Sequence, residues 1–199
     1  MALRDEIDAR IKERESWALR RQLGIPNNRR LWVLTCMDER IPVNEALGIQ
    51  DGDAHIFRNA GGLATDDAIR SAMLTTQFFG TTEIVVLGHT ECGMMSAKAD
   101  DLVDALRKKG IDTDAPGVDP TLPELHLEKG AFGKWIRLFE DVDASVLAQV
   151  EALRKSPLIP KDVTISGYVY EVESGTLRKP YEIVSQRVNT YEALHAKSS

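Results

Sequence analysis

Apolar positions in the first two dozen residues fall on one side of a helix. Leu3, Ile7, Ile11, Leu19 and Leu23 recur at spacings of four or eight with charges between them, which predicts a helix over residues 1–23. Pro26-Asn27-Asn28 ends it. Leu31-Trp32-Val33-Leu34-Thr35 is an unbroken apolar run too short for a helix, so it predicts a buried strand. Ala54-His55-Ile56-Phe57 predicts a second strand, and Glu83-Ile84-Val85-Val86-Leu87 a third. Between these two, Thr65 reads as an N-cap with Asp66 and Asp67 in the first helical turn. Ile69, Ala72 and Met73 continue that helix, and Gly80 suits the position just past its end. Residues 110–125, with three prolines and two glycines, predict loop; residues 134–155 predict one long helix; residues 163–170 predict a further strand.

Strands that are apolar throughout and alternate with helices need cover on both faces. The pattern therefore predicts an α/β fold with a mainly parallel central sheet flanked by helices. An N-terminal helical arm (residues 1–28) precedes it and a C-terminal tail (174–199) follows it, in a single domain over 1–199. At 199 residues, such a chain buries roughly 70% of its unfolded surface and needs no staples for bulk stability.

Charge and composition remove several function classes. The net charge is −6, with a basic first 30 residues and an acidic middle, and no basic stripe that would suit nucleic acid. No run of about 18 apolar residues predicts a membrane span, and the N-terminus lacks the apolar core of a secretory signal. The expectation is a cytoplasmic protein. Short amphipathic arms at both ends suit packing on another subunit.

Two of the predicted strands end in metal-ligand types. The first runs into Cys36-Met37-Asp38-Glu39-Arg40, the third into His89-Thr90-Glu91-Cys92-Gly93. Sites in open parallel sheets gather outside the carboxyl ends of the strands, and neighbouring strands lie about 4.8 Å apart. Cys36, His89 and Cys92 can therefore reach one ion, and a Cys₂His set leaves a tetrahedral position open, as in catalytic zinc sites. Asp38 lies two residues beyond Cys36, on the same side of an extended segment. There it can orient the solvent ligand, and Arg40 can hold it by a bidentate pair. Released from Arg40, Asp38 could itself ligate and close the site. Two other readings of the cysteines stay open: inert buried thiols, and a Cys36–Cys92 disulfide, which a cytoplasmic setting disfavours.

Other residues carry weaker signals. His55, within a strand, reads as packed or interfacial; His126 and His195 read as solvated. Gly61-Gly62 belongs to no phosphate-loop motif; it suits close backbone approach to the site, with Asn59 as a polar contact. Phe78, Phe79, Met94 and Met95 could line an apolar approach to the metal, and each also suits ordinary core.

Cys36-x-Asp38-x-Arg40, Arg58-Asn59-Ala60-Gly61-Gly62 and His89-x-x-Cys92-Gly93 together resemble the β-class carbonic anhydrases. The resemblance implies a zinc enzyme with one Zn²⁺ per subunit, working as a dimer or a multiple of one. It implies Cys36, His89 and Cys92 as ligands and Asp38 with Arg40 as the gating dyad. A narrower resemblance, to the carbon disulfide hydrolase branch of that family, rests on residues 18–21 (ALRR), 24–40 (GIPNNRRLWVLTCMDER), 157–163 (PLIPKDV), 167–173 (GYVYEVE) and 177–180 (LRKP). It implies attack of a zinc-bound hydroxide on CS₂, giving COS and then CO₂ with release of two H₂S. It also implies homo-oligomers built from dimers, as octameric rings or larger. Hydration of CO₂ and hydrolysis of COS alone are readings that share the same ligands. A non-catalytic zinc-stabilised subunit is a reading of another class, and expects Asp38 permanently on the metal.

Overall fold

The apolar run at residue 31 becomes the middle of a sheet. In a computed structural model that describes residues 3–10, 20–113 and 131–181, Leu31–Cys36 forms β1, buried at every position. Ala54–Asn59 forms β2, Glu83–His89 forms β3, Thr164–Glu171 forms β4 and Thr176–Arg178 forms β5. The sheet order is β2-β1-β3-β4-β5. The first four strands are parallel, as predicted, and β5 is antiparallel to β4.

Each central strand divides its side chains between two cores, as the strand period of two requires. Trp32 and Leu34 of β1 join Ile84 and Val86 of β3 on one face. Leu31 and Val33 join Val85 and Leu87 on the other. The first face is covered by α3 (Asp66–Phe78) and α7 (Val142–Lys155). The second is covered by the segment that contributes Ile41, Val43 and Ile49, which includes α2 (Val43–Leu47). Strand β2 lies at the sheet edge, and its burial is only partial.

Local signals hold where caps are explicit. Thr65 accepts a hydrogen bond from the Ala68 N–H and starts α3, and Gly80 follows its end with φ +71°. Three expectations need correction. Residues 134–155 are two helices: α6 spans Phe132–Ile136, and α7 begins only at Val142. Arg137 turns left-handed at φ +57°, and the Asp141 carboxylate caps the Ala144 N–H at 2.8 Å, which restarts the chain in a new direction. Helix α5 (Ala99–Lys108), which the pattern did not mark, follows α4 (Gly93–Ser96). The tail expected from residue 174 instead begins inside the sheet, with β5 closing a tight turn on β4. Of the predicted N-terminal helix, α1 spans Leu3–Arg10, with Leu3 and Ile7 exposed; residues 11–19 lie outside the described residues, as do His126 and His195.

Helix α7 sits directly on backbone. A Cβ added at Gly88 of β3 would lie 2.5 Å from Val146 Cγ2, and one at Gly167 of β4 would lie 2.6 Å from Val146 Cγ1. Asp143, on the same helix, is bound to Arg178 of β5, with Nη2 donating to Oδ2 at 3.0 Å, and it also accepts the Tyr181 N–H. Burial works to raise the Asp143 pKa, but these bonds and the Arg178 charge outweigh it and hold the carboxyl below its usual range. Its stabilising contribution is thus full above the unfolded carboxyl pKa of about 3.9 and is lost as pH falls through the lower folded value.

Asp143→Asn should cost about 2 kcal/mol in urea unfolding at pH 7, because it removes the charge partner of both Arg178 Nη atoms and leaves that guanidinium, 19% exposed, with Glu171 as its carboxylate partner. The difference from wild type should shrink as the pH is lowered below about 4.

Candidate metal centre

Strands β1 and β3 pair with Leu34 opposite Val86 and Thr35 opposite Leu87, so they end side by side. Cys36 is the last residue of β1 and His89 the last of β3. The turn after β3 passes through Glu91 in a left-handed conformation, φ +53°, and brings Cys92 back under the strand ends. The donor atoms of Cys36, His89 and Cys92 lie within 4.8 Å of one another, and all three residues are buried. Asp38 Oδ2 is 3.9 Å from His89 Nε2.

The donor set fits a tetrahedral cation. Zinc–sulfur bonds of about 2.3 Å imply a sulfur–sulfur separation of about 3.8 Å at the tetrahedral angle, and the two Sγ atoms are 4.0 Å apart. A disulfide would need about 2.05 Å, so the thiols are free. Both ring nitrogens of His89 are buried with no hydrogen-bond partner, although the residue is only 1% exposed. An orphaned polar atom at such depth is costly, and a cation bound there would remove part of that cost. The inert-thiol reading leaves this histidine without an explanation.

The sulfurs are electrostatically unequal. The thiolate of Cys36 is favoured because the Cys92 thiol donates to it, outweighing burial, with help from His89 and from the backbone at Asp38 and Gly61. Cys92 is pushed up by the same contact and by burial. Ligation of a cation would displace the thiol protons that remain.

Asp38 faces this group as a fixed anion. Its Oδ1 accepts from the Arg40 backbone N–H at 2.9 Å and from Nε at 3.0 Å, and its Oδ2 accepts from Nη2 at 2.9 Å. Chiefly through these Arg40 side-chain bonds, the carboxyl pKa is lowered to about 2. With both oxygens engaged, Asp38 is on Arg40 in this structure. Arg58 of β2 fixes the loop that carries it, donating to the carbonyls of Asp38 at 3.0 Å and Ile41 at 2.7 Å.

Gly61 and Gly62 come close to the site. Gly62 has φ +64°, and a Cβ there would lie 3.0 Å from the Thr35 carbonyl carbon and 3.1 Å from the Cys36 nitrogen. Asn59, expected as a polar contact of the site, is spent on its own turn: its amide donates to the Leu63 carbonyl and its oxygen accepts the Leu63 N–H, each at 2.8 Å. Phe78 and Phe79, expected along the approach, are at the far end of the molecule. Helix α3 starts near the carboxyl ends of the strands and carries them roughly 20 Å away over its 13 residues, where Phe79 packs edge-on against His55. His55 is satisfied by Thr75 Oγ1 at 2.7 Å and the Ile25 carbonyl at 2.9 Å, which matches its reading as a packed residue. Met94 lies against Gly61, and Met95 packs into both cores.

A narrow crevice lies beside the donors, bounded by Gly61, Gly88, His89, Cys92, Phe139 and Val142. It is too thin to seat a water molecule. Gln149, at its rim, has both amide ends occupied, by the Ala64 N–H and the Ser145 carbonyl. Phe139 and Val142 were not found by sequence reasoning, since they come from beyond residue 130 with no local signal. Gly88, a glycine inside an apolar strand, was such a signal: it marks a close approach.

A profile of the carbonic anhydrase family matches residues 31–177. A carbon disulfide hydrolase of Acidithiobacillus thiooxidans is 59% identical over 199 residues, covering 99% of this chain and all of the relative. β-Carbonic anhydrase 1 of Mycobacterium tuberculosis is 35% identical over 158 residues, covering 79% of this chain and 85% of its own. Among solved structures, a carbon disulfide hydrolase in its apo form superposes with a TM-score of 0.75 at 52% identity, covering 92% of this chain and 94% of the other.

Gly62→Ala should destabilise the protein by about 2 kcal/mol, from a strained φ and displaced β1 backbone. It should also speed the reaction of Cys36 with a colorimetric disulfide reagent, because the added methyl group pushes on the peptide that places that sulfur.

Proposed function

We propose, starting from the fact that this chain belongs to the β-carbonic anhydrase family, that it is a zinc-dependent hydrolase of carbon disulfide. The observation that carries the metal is the buried His89, unpartnered at both nitrogens and converging with two free thiols. One observation favours carbon disulfide as substrate over carbon dioxide. The likeness to the Acidithiobacillus carbon disulfide hydrolase runs over 99% of the chain, beyond the stretch that the family profile covers.

Cys36, His89 and Cys92 would hold the ion. When bound there, zinc supplies an open coordination position and lowers the pKa of the water that fills it toward neutrality. Asp38 cannot take up a proton near neutral pH, because Arg40 keeps it ionised. It therefore acts as a hydrogen-bond acceptor that turns the attacking water's lone pair toward the substrate carbon. Arg58 and the Asn59–Leu63 turn hold the loops on either side so that this orientation needs no rearrangement. Each round adds one water and frees one H₂S: carbon disulfide gives carbonyl sulfide, and carbonyl sulfide gives carbon dioxide. The same residues would serve both rounds.

The subunits would associate as a homo-oligomer built from dimers. The exposed Leu3 and Ile7 of α1 and the edge position of β2 among the described residues leave surface for such contacts. Light scattering on the purified protein should give a mass that is an even multiple of 22.1 kDa.

Carbon disulfide supplied to the zinc-loaded protein should release two H₂S per molecule consumed, with slow CO₂ hydration by stopped flow; fast hydration without H₂S would reassign the substrate. Asp38→Ala should lower turnover by about 100-fold or more while zinc content stays at one per chain. Cys36→Ser should lose the zinc, measured by elemental analysis. A zinc-stabilised subunit without catalysis would show the reverse for Asp38: weakened metal retention and no turnover to lose.

A further inference from the structure

Arg40 does more than face Asp38. A guanidinium offers five N–H donors in a rigid fork. The inner edge of this one, Nε and Nη2, is on the Asp38 carboxylate. Its outer edge is on Glu91: Nη1 donates to the Glu91 carboxylate at 2.9 Å, and Nη2 donates to the Glu91 carbonyl at 3.1 Å. One residue thus meets Arg40 with both its side chain and its backbone. It does so from a left-handed conformation, φ +53°, where glycine or asparagine is the usual choice. The turn it belongs to is itself anchored. The Thr90 N–H donates to the Tyr170 carbonyl, Thr90 Oγ1 donates to Glu173 at 2.8 Å, and the Val172 N–H donates to Thr90 Oγ1 at 2.9 Å. Glu91 therefore grips Arg40 from a turn that is tied to the end of β4.

We propose that Glu91 is a positioning residue. By holding the outer edge of the Arg40 fork, it keeps the inner edge turned to Asp38 and so keeps that carboxylate from swinging onto the metal position beside His89. The inference rests on the metal-centre reading above. Asp38 Oδ2 is 3.9 Å from His89 Nε2, so a small side-chain rotation separates the two placements. Without the Glu91 carboxylate, the outer edge of the fork would keep one backbone contact, and the guanidinium could rotate about its long stem. Asp38 would then be less firmly held, and would compete with exogenous ligands for the open coordination position. The Arg40 and Glu91 side chains are 39% and 55% exposed, so solvent screens the pair and the shift in that balance should be about two- to five-fold.

The test uses the full-length protein loaded with cobalt(II), whose visible spectrum reports coordination, and thiocyanate as the probe. Glu91→Ala should load the same one equivalent of cobalt as wild type, yet bind thiocyanate two- to five-fold more weakly. Glu91→Gln, which keeps the side chain's shape, should move in the same direction, and it carries the test if the alanine variant does not fold. In an Asp38→Ala background the Glu91 effect should vanish, because the competing carboxylate is gone. Unchanged thiocyanate affinity in both Glu91 variants, or a weakening that persists in the Asp38→Ala background, overturns the proposal. A wild-type protein that takes up no cobalt overturns the metal reading together with it. A wild-type protein that loads cobalt and releases H₂S from carbon disulfide while both Glu91 variants are silent overturns this inference alone.

Discussion

The structure depends on the pairing register of β1 and β3. Leu34 opposite Val86 and Thr35 opposite Leu87 bring the two strands to an end at the same level. A slip of one residue would turn every side chain of β1 to the wrong face and carry Cys36 away from His89. Burial of both faces is what forbids the slip. Trp32 and Leu34 are committed to the core under α3 and α7, and Leu31 and Val33 to the core under the 41–49 segment. The apolar effect thus sets the position of two groups that are not themselves stabilising. The unpartnered imidazole of His89 is a cost that this register imposes.

Around that pair, the polar groups of the strand ends form two sets with separate tasks. Arg58 and Asn59 satisfy carbonyls and amides of the turns next to them, and so stiffen the loops that carry Asp38 and the Gly61-Gly62 step. Asp38, Arg40 and Glu91 form a chain of charges that runs from the buried donors out to solvent. Stiffness belongs to the first set and adjustability to the second. The division follows from exposure, because a charge pair near water is weak enough to rearrange.

Much of this was legible in the residues. The β1, β2 and β3 runs, the cap at Thr65 and the close approach at Gly61-Gly62 were each marked by local chemistry, and each lies close to where its pattern predicts. The convergence of Cys36, His89 and Cys92 was legible from their places at the carboxyl ends of two strands. The errors have a common cause. Phe78 and Phe79 were grouped with the site by their type, but a helix running antiparallel to the strands carries its last residues away from the carboxyl edge. Asn59 suits a polar contact of the site by its type and place, but its amide is consumed by the nearest backbone. The break between α6 and α7 depends on the capping choice of Asp141, which competes with a helical pattern that continues on both sides. Phe139 and Val142 reach the crevice through tertiary packing, which no local pattern records.

The seating of α7 on Gly88 and Gly167 has a consequence for how this protein could diverge. Where two layers meet through side chains, their spacing drifts with every exchange in either one. Here one layer presents bare peptide, so the gap is governed from the helix alone, chiefly by Val142 and Val146. Swapping those for alanine would widen the slot and for isoleucine would narrow it, while leaving the strands that carry the donors untouched. Bore and chemistry are thereby assigned to different stretches of the chain, and selection can tune one without disturbing the other.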